Sequence, residues 1–259
     1  MTTEWIMLPR RVGLVAMLVG LMLGGCSHAP RIVEPVVDTS PYQRAGRDVL
    51  WAVAPLRNES GTSQADPLAI SDDVVAAVEQ VRGISAVPLN RVIAAMRALG
   101  LAELSTPTDA RRLGEALDVD GLIVGSITAY DPYDPPTLGL ALALYLPGRP
   151  DGEALGDGLG PRELEWQPAS LQTGAAQARV GPVALASELL DAKSNDVLLA
   201  VQRYARGRVE QVSASAWHRY TRSMVLYRQF AAHEVVGRLI RQEWIRLARA
   251  QGGPDTTPR

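Results

Sequence analysis

Cysteine occurs once in these 259 residues, and that scarcity removes two classes of chemistry. A single thiol builds no disulfide framework, and there is no CxxC pair for zinc or redox work. A surplus of one charge is also missing: 26 Lys and Arg stand against 28 Asp and Glu, for a formal net charge of −2. Nucleic-acid binders ordinarily carry a basic excess that displaces counterions from phosphates, so no nucleic-acid partner is expected. The three histidines, His28, His218 and His233, show no metal-ligand spacing. His218 and His233 are expected on helix surfaces or at partner contacts, and neither a metal nor a cofactor is implied. No Gly-x-Ser-x-Gly elbow, P-loop or Gly-x-Gly-x-x-Gly occurs, which weighs against an enzyme. What the chain does have is apolar residues, 47% against 21% charged, ample for an ordinary globular core. The length suits one large domain.

A long hydrophobic run is lacking too. Arg10 and Arg11 precede an uncharged apolar stretch over residues 12–23, too short to span a bilayer, which needs roughly 20 apolar residues. A positive flank, a short apolar run and small residues before a cleavage point predict a signal peptide over residues 1–25. The segment Leu23-Gly24-Gly25-Cys26 resembles the bacterial lipobox. That resemblance implies cleavage before Cys26 and acylation of its thiol, firm enough to anchor the chain when more than one acyl chain is attached. Ser27, rather than aspartate, follows the cysteine, so the expected address is the outer membrane, facing the periplasm. Residues 26–48 carry Pro30, Pro35 and Pro41 and read as a tether. About 20 such residues, fully stretched, reach on the order of 70 Å.

Residues 49–250 form the expected body. The apolar run over 48–56 predicts a buried strand that enters a turn at Asn58-Glu59-Ser60-Gly61. Ser71-Asp72-Asp73 is positioned to cap a helix, and residues 83–87 read as a second strand. Asn90 is positioned to cap another helix that stops at Gly100, with a further helix from about Thr108. Residues 122–130 are the clearest strand. Residues 138–146 alternate so that one face is all leucine. Residues 147–181, rich in Gly and Pro, read as a loop insert. Residues 183–190 and 197–204 flank a polar loop and predict a hairpin. One long helix is expected from about Ala216 to Ala250, with a flexible tail over 251–259. Strands interleaved with helices, then antiparallel strands, imply a two-layer α/β sandwich with a mixed sheet and a long C-terminal helix.

Taken in order, several of these segments resemble the CsgG/TolB-N-like family of bacterial envelope proteins. They are Asn58-x-Ser60-Gly61 after the opening strand, Val87-Pro88-Leu89-Asn90-Arg91 before a helix, and residues 120–127 (DGLIVGSI). Leu189-Leu190-Asp191-Ala192-Lys193 with Val197-Leu198 matches the family's strand-turn-strand. The resemblance implies a non-enzymatic binding or assembly role, since its members include periplasmic interaction domains, activators of cell-wall synthases and curli-pore subunits. It also raises an alternative, a pore subunit built from membrane-crossing hairpins; an enzyme of unrecognised type is the other alternative. Against the pore, residues 147–181 offer no partner strand for 138–146, and the stretch between Tyr204 and Ala216 is too short for two spanning strands. Independently of the family, Gly121 is expected to serve a tight helix-to-strand turn, and Gly125 to let a helix approach its strand.

Two surface candidates stand out. Asp131-Pro132-Tyr133-Asp134-Pro135-Pro136 carries three prolines, which make a rigid bend; its aspartates also have the oxygen chemistry of a calcium ligand. Tyr133 on such a bend is a candidate partner contact. The last helix carries seven arginines against Glu234 and Glu243, although arginine is the habitual base here, Lys193 being the only lysine. Arg238, Arg241 and Arg249 are the candidate contacts for anionic lipid, cell-wall polymer or an acidic envelope protein. The expected partners are thus the membrane, through Cys26, and an unidentified envelope or cell-wall component, with a homo-oligomer also open.

Overall fold

The computed structural model describes residues 37–42, 47–147, 181–208 and 215–251. Cys26, His28, nearly all of the expected insert and residues 252–259 lie outside them.

Strand β1 (Val49–Val53) leads to the two-residue β2 (Arg57–Asn58). Helix α1 (Pro67–Glu79) begins earlier than expected, because Asp66 accepts from the Leu68 and Ala69 amides and Pro67 supplies the preset φ of a first turn. Ser71, expected near the cap, is instead buried inside α1, where its Oγ donates to the Pro67 carbonyl at 2.6 Å and accepts from the Leu56 amide at 2.9 Å. After β3 (Ile84–Ala86) comes α2 (Leu89–Ala98). Asn90 does not cap α2: Pro88 occupies that position and contributes only its carbonyl, with no side-chain bond. Helix α3 (Pro107–Leu117) has a full capping box between Thr106 and Asp109.

Strand β4 (Gly121–Asp131) and β5 (Thr137–Tyr145) form an antiparallel hairpin around the proline-rich bend, and β6 (Ala184–Asp191) pairs with the far side of β5. The sheet runs β3-β1-β4-β5-β6, with β2 extending the β1 side of β4. Its first half is parallel and its second antiparallel, so it is mixed, and it does not close into a barrel.

The expected second hairpin strand is a helix, α4 (Asn195–Ala205). Four consecutive apolar residues, Val197 to Ala200, fit either state by pattern. Tertiary burial decides, since Val197, Ala200, Val201 and Tyr204 recur at helical spacing and all face the core. The single terminal helix is two, α5 (His218–Arg222) and α6 (Met224–Gln251), separated by Ser223 in an extended conformation.

Alternation along the strands splits the core. Trp51, Val53, Ile123 and Ile127, with Leu138, Leu140, Leu142 and Leu144, point to the side covered by α1, α4 and α6. Ala52, Leu122, Val124, Ala143 and Tyr145 point to the other side, where α2 and α3 add further cover. The mixed α/β sandwich with its long final helix is therefore observed, with this smaller helical cover on the second face. The leucine face of β5 is packed in the core rather than presented outward: its four leucines are no more than 1% exposed.

The glycines act differently from expectation. Gly121 does not serve the turn, where Asp118 takes the left-handed position at φ 50. A Cβ on Gly121 would lie 2.7 Å from the Trp51 indole nitrogen, so this glycine makes room for the indole. At Gly125 the close neighbour is a strand, not a helix: a Cβ there would lie 2.3 Å from the Ala141 carbonyl oxygen. The Asn58 turn is as expected, with Asn58 Oδ1 accepting from the Ser60 amide at 3.1 Å and Gly61 at φ 76.

Candidate functional site

Residues 37–42 are not free tether. Thr39 bridges to Arg82 beside the β3 edge, and Ser40 N donates to the Arg82 carbonyl at 2.9 Å. Asp38 lies over Gly237 of α6, where a Cβ would come within 2.7 Å of its Oδ2. Trp244 Nε1 donates to the Thr39 carbonyl at 3.0 Å. The Tyr42 ring meets Trp51 edge-on at 6.2 Å, and its hydroxyl donates to Glu243. Glu243 is 0% exposed, and Arg246 holds it through two bonds of 2.7 and 2.6 Å. A buried carboxylate needs this degree of pairing to offset its desolvation. The chain is thereby strapped across the C-terminal half of α6.

This strap sits at one end of the sheet. Tyr42 packs on Trp51, which is in register with Gly121 at the start of β4. At the other end, Tyr227 of α6 donates its hydroxyl to the Leu190 carbonyl at 2.9 Å, and Leu190 pairs with Leu138 opposite Tyr130. Helix α6 thus runs back along the sheet from the end carrying the bend. The 11 residues of β4 separate strap from bend by about 35 Å.

Tyr133 is 70% exposed on that bend. Its amide donates to Asp131 Oδ1 at 3.1 Å, so Asp131 is used in a local turn, and the Asp134–Pro135 peptide is cis. Among the described residues no three His, Cys, Asp or Glu side chains gather as a metal site.

The three candidate arginines separate in the structure. Arg238 pairs with Glu188 of β6, whereas Arg241 and Arg249 are exposed further along α6. Arg228 is turned inward and pairs with Asp73 of α1 at 3.0 Å. Burial outweighs this partner and raises Asp73 to about 6. His233 is not a surface residue as expected: it is half-buried against the Tyr204 ring at a centroid distance of 5.0 Å. Burial and then the Arg208 charge push its pKa down to about 4, leaving a neutral imidazole at pH 7. His218 stacks on Trp217 at 3.7 Å. Sequence pattern missed the Tyr42–Glu243–Arg246 cluster; the one available signal was Glu243 at an inward-facing position of an otherwise apolar helix stripe.

No protein-family model matches the chain, and neither does any curated protein. Among solved structures, it is similar to the LpoB C-terminal domain from Salmonella enterica at 17% identity and a TM-score of 0.32, covering 40% of this chain and 77% of that one. Lipoprotein GNA1162 from Neisseria meningitidis matches at 15% identity and a TM-score of 0.30, over 38% of this chain and 72% of that one. CT253 from Chlamydia trachomatis matches at 11% identity and a TM-score of 0.32, over 79% and 97%. At these low values each is a partial likeness in structure and nothing more. They do not single out the CsgG/TolB-N-like family.

Proposed function

We propose that this chain is a non-enzymatic, lipid-anchored protein of the cell envelope that presents a binding surface to an envelope or cell-wall partner. In this reading Cys26 carries the lipid and the outer membrane holds the protein, with its body in the periplasm. The observation that carries the proposal is the polarity of the α/β domain. The segment that follows the tether is strapped to one end of the sheet, while the exposed Tyr133 bend stands at the other end. An anchored adaptor needs that separation between its attachment and its contact. The pore alternative is disfavoured by the leucine face of β5, which is covered in the core.

Cys26→Ser tests the anchor, by detergent-partition fractionation with labelled palmitate. The variant is expected to lose the label and leave the acylated membrane fraction. Undiminished palmitate incorporation would sink the lipid-anchor reading.

A further inference from the structure

The two edges of the sheet are finished differently. At the β3 edge the strand has only three residues, and the strap continues that edge through the Thr39–Arg82 bridge. At the other edge β6 is eight residues long, and among the described residues nothing pairs with its outer side. It has neither the proline nor the lysine that commonly protects an open edge. Its two charges are engaged: Glu188 pairs with Arg238, and Asp191 accepts from the Lys193 amide at 2.9 Å and the Thr137 hydroxyl at 3.3 Å.

Hydrogen-bond parity fixes which groups of β6 face outward. The Ala192 amide donates to the Pro136 carbonyl at 3.0 Å, so the bonded pairs along this antiparallel ladder are Leu190–Leu138, Glu188–Leu140 and Ala186–Leu142. The amides and carbonyls of Leu185, Ser187 and Leu189 therefore point away from β5. Their side chains stand on the face that carries Ala143 and Val124. Leu185 is half-buried there, whereas Leu189 is 62% exposed.

We infer that β6 is a self-association edge, pairing antiparallel with β6 of a second copy of this chain about a two-fold axis at Ser187. With Ser187 opposite Ser187, Leu189 of each copy stands opposite Leu185 of the other, so every outward residue meets an outward residue. Each copy then donates three backbone bonds and accepts three. The same register sets each exposed Leu189 beside Leu185 of the second copy, as cross-strand neighbours on one face. Glu188 falls opposite Ala186 and Asp191 opposite Val183, so no two carboxylates oppose each other. These matches follow from the symmetry of the sequence about Ser187, which is what selects a second copy over an unrelated strand. The inference rests on neither the lipid anchor nor the Tyr133 contact. It leaves both bends uncovered at opposite ends of the joined sheet, so the pair is bivalent.

Crosslinking and sedimentation equilibrium of the full chain, in density-matched detergent, test the pairing. Ser187→Cys puts two thiols directly opposite each other, with Cα atoms about 5.5 Å apart, whereas Leu189→Cys alone leaves them about 14 Å apart along the strands. A short bismaleimide should therefore dimerise Ser187→Cys several-fold more than Leu189→Cys, and mixing Leu189→Cys with Leu185→Cys should restore the product. Cys26 is the only native cysteine, and repeating the set with Cys26→Ser removes any bridge through it, so the outcome is independent of lipid attachment. Ser187→Pro deletes an outward amide where an edge strand tolerates proline, and should weaken the dimer at least about tenfold with the circular dichroism spectrum unchanged. Leu189→Lys, on an exposed side chain, should weaken it similarly and decides the matter if the proline variant does not fold. A chain that sediments as a monomer throughout, equal bridging at 187 and 189, or dimerisation indifferent to Leu189→Lys overturns the proposal.

Discussion

Replacing Glu243 by glutamine is the sharpest test of the strap. The carboxylate is 0% exposed and receives two bonds from Arg246, of 2.7 and 2.6 Å, besides the Tyr42 hydroxyl. Glutamine keeps the volume and one acceptor oxygen, so the Tyr42 bond can persist in weaker form. The charge is lost, and with it the ion pair to Arg246, whose side chain is only 12% exposed. Removing one member of a buried ion pair typically costs 3–5 kcal/mol; with the acceptor retained, about 3 kcal/mol is expected for Glu243→Gln. In a domain of roughly 200 residues that lowers Tm by about 6–12 °C. Tyr42→Phe leaves the ring on Trp51 and removes only the hydroxyl, at about 1.5 kcal/mol for a bond to a charged acceptor. Because both changes act on one contact, the double variant should cost less than the sum by about 1 kcal/mol. Urea unfolding of the four proteins, with the m-value checked for constancy, measures all three quantities. Strict additivity, or a Glu243→Gln loss below about 1 kcal/mol, would refute the strap as a buried electrostatic clasp.

Three further outcomes are expected. Gly125→Ala should cost about 3 kcal/mol in the same denaturation assay, because the added carbon meets a backbone oxygen at 2.3 Å, whereas Gly61→Ala, with open space around it, should lose only about 1 kcal/mol to its φ of 76. For His233 the folded-state value of about 4 lies below the ordinary imidazole value of 6.5, so the unfolded chain binds more protons between them, and stability falls as pH drops through that window. Thermal melts from pH 7 to 4.5 should therefore decline less steeply for His233→Gln, by on the order of 1–2 kcal/mol, and an unchanged slope would contradict its burial as a neutral base. Finally, a photo-crosslinking side chain at Tyr133 should form a defined adduct in intact envelopes, and the same side chain at the exposed Glu79, three residues before the Arg82 that holds the strap, should not; equal labelling at both would remove the bend as the contact site.

The order of the elements was readable wherever local chemistry and tertiary packing agreed. Gly100 after α2 and the alternating leucines of β5 each specify their local state directly. Expectation failed where one pattern fits two structures. The apolar run in α4 passes for a strand until the inward spacing of Ala200, Val201 and Tyr204 is seen, and the break at Ser223 carries no proline or glycine. The cap of α1 was misplaced because Asp66-Pro67 and Ser71-Asp72-Asp73 both offer capping chemistry, and only burial of Ser71 separates them. The site was less legible than the fold. Nothing local in Thr39 or Tyr42 points to residues some two hundred positions later, and the basic stripe of α6 gave no hint that Arg228 and Arg238 already have carboxylate partners.

The strap also shortens the leash. With Asp38 already lying over Gly237 of α6, only about eleven residues separate that contact from Cys26, and their greatest extension is on the order of 40 Å rather than the 70 Å of a tether running to residue 48. If Cys26 is acylated, the domain patrols a thin layer next to its membrane. A partner on the opposite membrane, or deep in the wall, must come to it or be met through the roughly 35 Å length of β4 that carries Tyr133 outward.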